Sequence, residues 1–357
     1  MKVLAIETSC DETGIAVVEA RKEGSVLLFE TKKAALLSQA LLHSPYGGVY
    51  PNLAKREHLK NLPALWEQFS GETYDAVAVT VGPGLEPALW TGIEFAKKIA
   101  AEKNLPLIPV NHMEGHLISS LAQKHHSSVL QNTAIENVQI PVLALLISGG
   151  HTEFVLMQKW FEYEIIGETL DDAVGEAFDK VARMLGLPYP GGPAISALAD
   201  TARSKSQKTN IKLPRPMLNS GTCDVSFSGL KTAALYALRD RGGIQKLAAD
   251  EIAAFAAEFE DAVAEIFAVK TRQALIQTNA KTFVIGGGVA ANRYIREKLQ
   301  ALILDEFPDV ELRLPDPSIT GDNAVMIAQA ALARALNGKN DAATNDLAAV
   351  GNLSIAS

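Results

Sequence analysis

The chain has 357 residues, which suits about two domains, each with a core of its own. Its net charge of −8 argues against broad nonspecific nucleic-acid binding while allowing a local basic patch. Two cysteines make no disulfide framework, no apolar run approaches the ~20 residues of a membrane span, and the chain opens on a strand pattern without a secretory or transit signal, so the expected location is cytoplasmic.

Residues 3–6 are apolar and read as a strand. Glu7-Thr8-Ser9-Cys10-Asp11-Glu12-Thr13-Gly14 turns the chain, and residues 15–19 resume a strand, so a β-hairpin with a hydroxyl- and carboxylate-rich tip is expected. Such a tip can offer backbone N–H groups to a phosphate and carboxylates to a metal. Glu7 falls within the strand register beside the acids of the tip, which a plain polar tip does not need. A third strand over 25–30 extends the meander. Residues 44–51 (SPYGGVYP) form a breaker-rich loop, and 52–69 read as a helix kinked at Pro63. Lys55, Arg56, His58 and Lys60 make its first half basic, as a solvated face or an RNA contact.

Residues 76–81 read as a buried strand that runs into Gly82-Pro83-Gly84 and a helix over 87–102. A strand, a Gly-rich turn and a helix place helix N-terminal N–H groups at a ligand. The next strand, 105–110, delivers Asn111-His112-Met113-Glu114-Gly115-His116 at its carboxyl end. Histidines four apart on a helix lie on one face, one turn apart, at a spacing that suits one metal ion. By itself the spacing more often describes two polar residues on a solvated face.

Residues 121–140 have no clear period and read as a surface insertion, with His125 and His126 in a polar stretch that is not expected to bind metal. The opening pattern then recurs: a strand over 142–147, the turn Ser148-Gly149-Gly150-His151-Thr152, and a strand over 153–158. Two such openings suggest two lobes on one plan, and the glycines let a phosphate approach the backbone. Residues 171–186 form an amphipathic helix with Asp172, Glu176, Asp179 and Arg183 away from its apolar stripe, followed by a rigid loop over 189–193. The stretch 201–232 is the most basic, with Arg203, Lys205, Lys208, Lys212, Arg215 and Lys231, and suits either an anionic partner or a solvated loop. A long helix over 251–278 leads to a strand over 282–285. Gly286-Gly287-Gly288 then opens a helix with Asn292 in its first turn, where an adenine can stack on flat backbone. A last strand over 312–315, the turn Thr320-Gly321-Asp322-Asn323 and an Ala-rich helix to 336 follow. Asp322 at that helix start suits the dipole and could be a simple cap. Residues 338–357 read as a flexible tail.

Two hairpin phosphate loops and a triple-glycine strand–helix unit form the pattern of the actin/sugar kinase/Hsp70 (ASKHA) superfamily. The motifs IETSCDET (6–13), YGGVYPNLAKREH (46–58), GPGL (82–85), NHMEGH (111–116), ISGGHTEF (147–154), GETLDDAVGEAFDK (167–180), YPGGP (189–193), FSGLKTA (227–233), GGGVAANR (286–293) and GDNAVMIA (321–328) resemble the tRNA N6-adenosine threonylcarbamoyltransferase family of the TsaD type, in its bacterial branch. The resemblance spans about residues 1–335. It implies a two-lobed, actin-like α/β fold of the RNase H-like kind, each lobe a mixed sheet flanked by helices, with an active-site cleft between lobes. The N-terminal lobe is expected over 1–120 plus the helix 322–337, and the C-terminal lobe over 141–321 with a helical insertion at 167–245.

The resemblance also implies roles. His112, His116 and Asp322 would hold one divalent ion, Fe2+ or Zn2+. Leu146, Ile147, Ser148, Gly149, Gly150, His151, Asp179, Gly192 and Asn292 would bind threonylcarbamoyl-adenylate, with Mg2+ as a companion of the nucleotide. Asp11 and Glu12 fall at positions tied to activity. The implied reaction moves the threonylcarbamoyl group to N6 of adenosine 37 in tRNAs reading ANN codons, with release of AMP. A TsaB-type paralogue and a TsaE-type ATPase are the implied partners, and the basic stretches at 55–60 and 203–231 are candidate RNA contacts. Two departures stand out: Asn52 replaces an expected Glu, and 121–140 is longer than usual. The rivals are a zinc metalloprotease, opposed by Met113 where a zincin has Glu, an ASKHA small-molecule kinase, which needs no His pair, and a non-catalytic scaffold paralogue.

Overall fold

Apolar residues fill both faces of the strands that open each half of the chain, and two sheets form around them. A computed structural model describes residues 1–124, 132–339 and 347–357. Among these the strands are β1 (Lys2–Glu7), β2 (Glu12–Glu23), β3 (Val26–Ser38), β4 (Ala76–Gly82), β5 (Leu107–Asn111), β6 (Gln123–Lys124), β7 (Asn132–Ile135), β8 (Val142–Ile147), β9 (Thr152–Lys159), β10 (Glu162–Glu168), β11 (Thr282–Gly286) and β12 (Glu311–Arg313). The helices are α1 (Ala40–His43), α2 (Pro51–Trp66), α3 (Glu86–Lys103), α4 (His112–Leu121), α5 (Val174–Met184), α6 (Gly191–Ser204), α7 (Ser228–Arg239), α8 (Ala249–Thr278), α9 (Arg293–Glu306) and α10 (Ala324–Leu336). None is long and apolar enough to cross a membrane. The chain divides into two compact units, residues 1–42, 49–138 and 318–357 in the first and 43–48 with 139–317 in the second.

The first unit has the sheet order β5-β4-β1-β2-β3-β7-β6. β1 pairs antiparallel with β2 and parallel with β4, which pairs parallel with β5. Side chains alternate across a strand, so one face of β1 presents Leu4 and Ile6, which pack with Leu62 and Leu65 of α2 and Ile93 and Ala96 of α3. The opposite face of β1 and β2 packs against α10, which also packs on α4. α2 runs without interruption through Pro63 to Trp66 and continues as a 3₁₀ turn over Glu67–Phe69. The missing N–H falls near the helix end, where few ladder bonds remain to lose.

The second unit has the order β10-β9-β8-β11-β12. β8 pairs antiparallel with β9 and parallel with β11, and β11 pairs parallel with β12. Substituting β8 for β1 and following chain order reproduces the β3-β2-β1-β4-β5 connectivity of the first unit, so the recurrence read in the sequence is a recurrence of topology. The core joins Phe178 of α5, Phe227 beside α7, Phe255, Phe259 and Phe267 of α8, and Phe283 of β11.

Several elements differ from expectation. β3 continues to Ser38, and β10 has no counterpart in the sequence reading because its polar residues mask the alternation. The stretch 121–140 contributes β6 and β7 to the edge of the first sheet. His125 and His126 lie outside the described residues. α7 takes up the end of the stretch 201–232, which suited a solvated loop. The end of the chain also departs from the expected flexible tail: residues 347–357 return to the first unit. There Val350 N–H donates to Val81 at 2.9 Å, Gly84 N–H donates to Gly351 at 3.0 Å, and Ile355 is buried. Backbone pairing and the packing of Leu347, Ala349 and Leu353 on the first unit's core together make this docking.

Candidate active site

In the first unit the end of β5 delivers α4. Asn111 caps the helix, its side-chain oxygen accepting from Met113 and Glu114 N–H at 2.9 and 3.2 Å. His112 and His116 therefore fall one turn apart, with ring centroids separated by 4.7 Å. The turn before α10 brings Asp322 to them: its Oδ1 lies 3.0 Å from His116 Nε2 and 3.4 Å from His112 Nε2. One donor atom from each of the three residues lies within 4.8 Å of the others. Ligands placed ~2.0–2.2 Å from a tetrahedral ion are separated by about 3.3 Å, so the spacing fits an ion. Two imidazole nitrogens and one carboxylate oxygen suit Zn2+ or Fe2+ over Mg2+ or Ca2+.

A fourth residue completes this centre. Glu7, at the end of β1 and fully buried, places Oε2 3.3 Å from His112 Nδ1. Its carboxylate also accepts from Ser9 N–H and from the Thr80 hydroxyl, each at 2.5 Å. Burial pushes the Glu7 carboxyl up, but the facing His112 outweighs it and holds the group below its ordinary range. Burial lowers His112, but the charges of Asp322 and Glu7 raise it to about 10. Burial opposes and His112 favours the ionised form of Asp322, which ends well below the usual carboxylate range. The pocket is thus built to hold positive charge between two carboxylates.

The hairpin tip adjoins this centre. Asp11 is buried, and burial, followed by the charges of Asp11 and Asp322, pushes Glu12 up to about 9. His58, read from the sequence as part of a basic face, is fully buried instead. Its Nδ1 lies 2.8 Å from the Thr13 hydroxyl and its Nε2 2.9 Å from the Cys10 carbonyl, so α2 clamps the tip from Cys10 to Thr13. Gly84 lets the next turn close on the same tip: a Cβ there would meet Ser9 O at 2.6 Å.

In the second unit the turn after β8 exposes Gly149 and Gly150, with nothing within 4 Å of a Cβ at either. Leu146 and Ile147 are buried strand residues beneath it, and Ser148 N–H donates to His151 O at 2.8 Å while Ser148 Oγ accepts from His151 N–H at 3.1 Å. Asp179, Gly192 and Asn292 meet around the first turns of α6. Asp179 Oδ1 accepts from Gly191 N–H at 2.6 Å. Asn292 caps α9 through Oδ1 to Ile295 N–H at 3.0 Å. Its Nδ2 donates to Ser196 Oγ at 2.9 Å and to Glu260 Oε1 at 2.7 Å. Both amide hydrogens are engaged, so a lone pair of Oδ1 is what Asn292 retains for a ligand.

A family model described as TsaD, tRNA N6-adenosine threonylcarbamoyltransferase, matches residues 31–329. The chain belongs to this family. A protein of that name from Aromatoleum aromaticum is 41% identical over 355 residues, covering 96% of this chain and 94% of the relative. A namesake from Polynucleobacter necessarius is 43% identical over 357 residues, with 97% and 95% covered. The solved structure of T. kodakarensis HypF superposes with a TM-score of 0.55 at 14% identity; it covers 96% of this chain, which spans 49% of HypF, and the likeness is one of fold. With that fold, the two units are those of a two-lobed, actin-like protein.

Membership sharpens what the sequence reading missed. Glu7 was visible as an acid inside an apolar strand, but only its reach to His112 gives it a task. The basic stretch 203–231, a candidate RNA contact or a solvated loop, is largely engaged within the protein: Arg203 pairs with Glu260 and Asp261, Arg215 with Glu258 and Glu265, and Lys231 with Asp172. Nor can Glu114 serve as a protease base, because it is buried and its carboxylate pairs with Arg334 at 2.9 Å.

Proposed function

We propose that the chain transfers the threonylcarbamoyl group of threonylcarbamoyl-adenylate to N6 of adenosine 37 in tRNAs reading ANN codons, forming t6A and AMP at a divalent centre held by His112, His116 and Asp322. The observation behind this reading is the convergence of those three donors, with Glu7 orienting His112 from behind. A bound Fe2+ or Zn2+ would supply Lewis-acid polarisation, in general worth several kcal/mol.

The chain's residues supply the rest. Exposed N–H groups of Gly149 and Gly150 hold the phosphate of the donor, and Asp179, Gly192 and Asn292 hold its nucleoside. The N6–carbonyl bond forms, the carbonyl–O–phosphate bond breaks, and AMP leaves with the bonding pair. N6 is a weak nucleophile because its lone pair is delocalised into the ring, so a base must take its proton as the bond forms. Asp11 is that base. Glu12, raised to about 9, keeps its own proton at neutral pH and acts as a hydrogen-bond donor beside it. A TsaB-type paralogue and a TsaE-type ATPase complete the system in the cytoplasm, with Mg2+ accompanying the nucleotide.

Reconstitution tests this. The protein, its partner proteins, threonylcarbamoyl-adenylate and tRNA should yield the modified nucleoside by mass spectrometry. His112→Ala and Asp322→Ala should lose both metal and product while remaining folded. Full modification by either variant would overturn the assignment, and peptide cleavage abolished by His112→Ala would favour the protease reading instead.

A further inference from the structure

The engagement of the candidate RNA contacts leaves open where the substrate is held. Arginines answer that question clearly. The chain has twelve, all described, and eleven of them form a hydrogen bond or ion pair with another described residue. Arg183, on the last turn of α5, forms none with any described residue and is exposed. Its side chain is nonetheless placed. It lies under Gly47, where a Cβ would come within 3.2 Å of both Arg183 Cδ and Nη1, and the φ of +68° at Gly47 is one that favours glycine. Arg183 lines a pocket of about 360 Å³ with Ser44, Tyr46, Gly47, Asp179 and Tyr189, all in the second unit. That volume is at the small end of ligand pockets, ~300–1,000 Å³. Tyr46 is 60% exposed.

We propose that this pocket is an RNA subsite that seats one nucleotide of the tRNA anticodon loop, with Arg183 on its phosphate and the Tyr46 ring against its base. The inference rests on the tRNA-modifying reading above and extends it to a site outside the metal centre. A guanidinium grips phosphate through two parallel donors. An exposed tyrosine offers a stacking face for an unstacked loop base, and single-stranded RNA is recognised in this way. Gly47 and Tyr46 belong to the segment YGGVYPNLAKREH, whose first residues have no part in the metal centre.

The test is binding of a fluorescent anticodon stem–loop RNA to the full chain with its partner proteins, alongside binding of a non-hydrolysable adenylate analogue. Arg183→Ala should weaken RNA binding about tenfold, flatten the salt dependence of log Kd by about one charge, and leave analogue affinity within twofold. Arg183→Lys should recover part of the loss, and Tyr46→Ala should weaken RNA binding without changing the salt slope. Unchanged RNA affinity in Arg183→Ala overturns the proposal, as does a loss of analogue affinity in its place, which would make the pocket part of the donor site. The readout does not depend on turnover. A wild-type protein that binds the stem–loop through Arg183 yet forms no t6A would sink the functional reading and leave the subsite standing.

Discussion

Glu7 Oε2 stands 3.3 Å from His112 Nδ1, which Ser9 Oγ also approaches at 3.1 Å, so the opposite ring nitrogen is the one that faces Asp322. With Nδ1 turned to Glu7, Nε2 is the nitrogen presented to Asp322 and to an ion. A carboxylate behind a ligating histidine fixes its tautomer and raises its basicity. Glu7→Gln should therefore keep the fold and lower metal affinity roughly 10–100-fold, read by competition with a graded chelator. Glu7→Ala should also destabilise the protein, by about 1–3 kcal/mol for each buried partner left unsatisfied, since Ser9 N–H and the Thr80 hydroxyl both rely on that carboxylate. Metal affinity unchanged in both variants would remove Glu7 from the centre.

Glu153, on β9, is a buried acid whose Oε2 has no hydrogen-bond partner. Burial first, then the neighbouring charge of Glu168, pushes it up to about 7. The sign follows from linkage. The folded state binds a proton that the unfolded chain releases near pH 4.5, so stability falls as pH rises from there to about 7 and stays lower above it. Glu153→Gln removes this penalty. Its unfolding free energy relative to wild type should improve by on the order of 2–3 kcal/mol between pH 4 and pH 8. Urea unfolding at the two pH values measures this, and a constant difference would show that Glu153 does not titrate in that window.

Glu260, fully buried on α8, joins Asn292, Ser196 and Arg203. Arg203 Cζ also lies over the Tyr294 ring, 3.4 Å from its centroid. Removing one partner from such a network leaves the others buried and unpaired, so Glu260→Ala should cost about 3–5 kcal/mol. Glu260→Gln can still accept from Ser196 or Asn292 and should cost less. In that milder variant KM for the adenylate donor should rise while kcat changes little, because a neutral amide oxygen holds Asn292 less firmly than the carboxylate does. A fall in kcat with unchanged KM would argue against a positioning role.

Gly287 has φ +90°, and a Cβ there would lie 2.3 Å from Ile147 O. Gly287→Ala meets a backbone atom that cannot rotate away and a conformation that L-residues avoid. The expected cost is roughly 2–3 kcal/mol, with weakened donor binding, because the displaced Ile147 leads into the Ser148–Gly150 turn. Gly149→Ala, which meets nothing within 4 Å, is the control. It should leave stability nearly unchanged, as thermal unfolding will show.

The sequence by itself determined the features written in local periodicity. Apolar runs fixed β1, β4, β8 and β11, glycine turns marked the strand ends, and the recurrence of strand, polar turn and strand announced two units of one topology. The HxxxH spacing guaranteed two imidazoles on one helix face. The third donor of the cluster, Asp322, lies 206 residues beyond His116, and only the family resemblance pointed to it. Tertiary structure decided the tasks of individual polar side chains. Glu7, His58 and Arg203 look alike in sequence as charged or polar residues near apolar ones. What they do depends on which distant element faces them: α4 for Glu7, the hairpin tip for His58, α8 for Arg203. The same holds for β10, whose hydrogen bonds to β9 are made by backbone and leave no mark in side-chain pattern. Burial pattern is a local property of the chain, whereas a polar group's partner is a property of the fold.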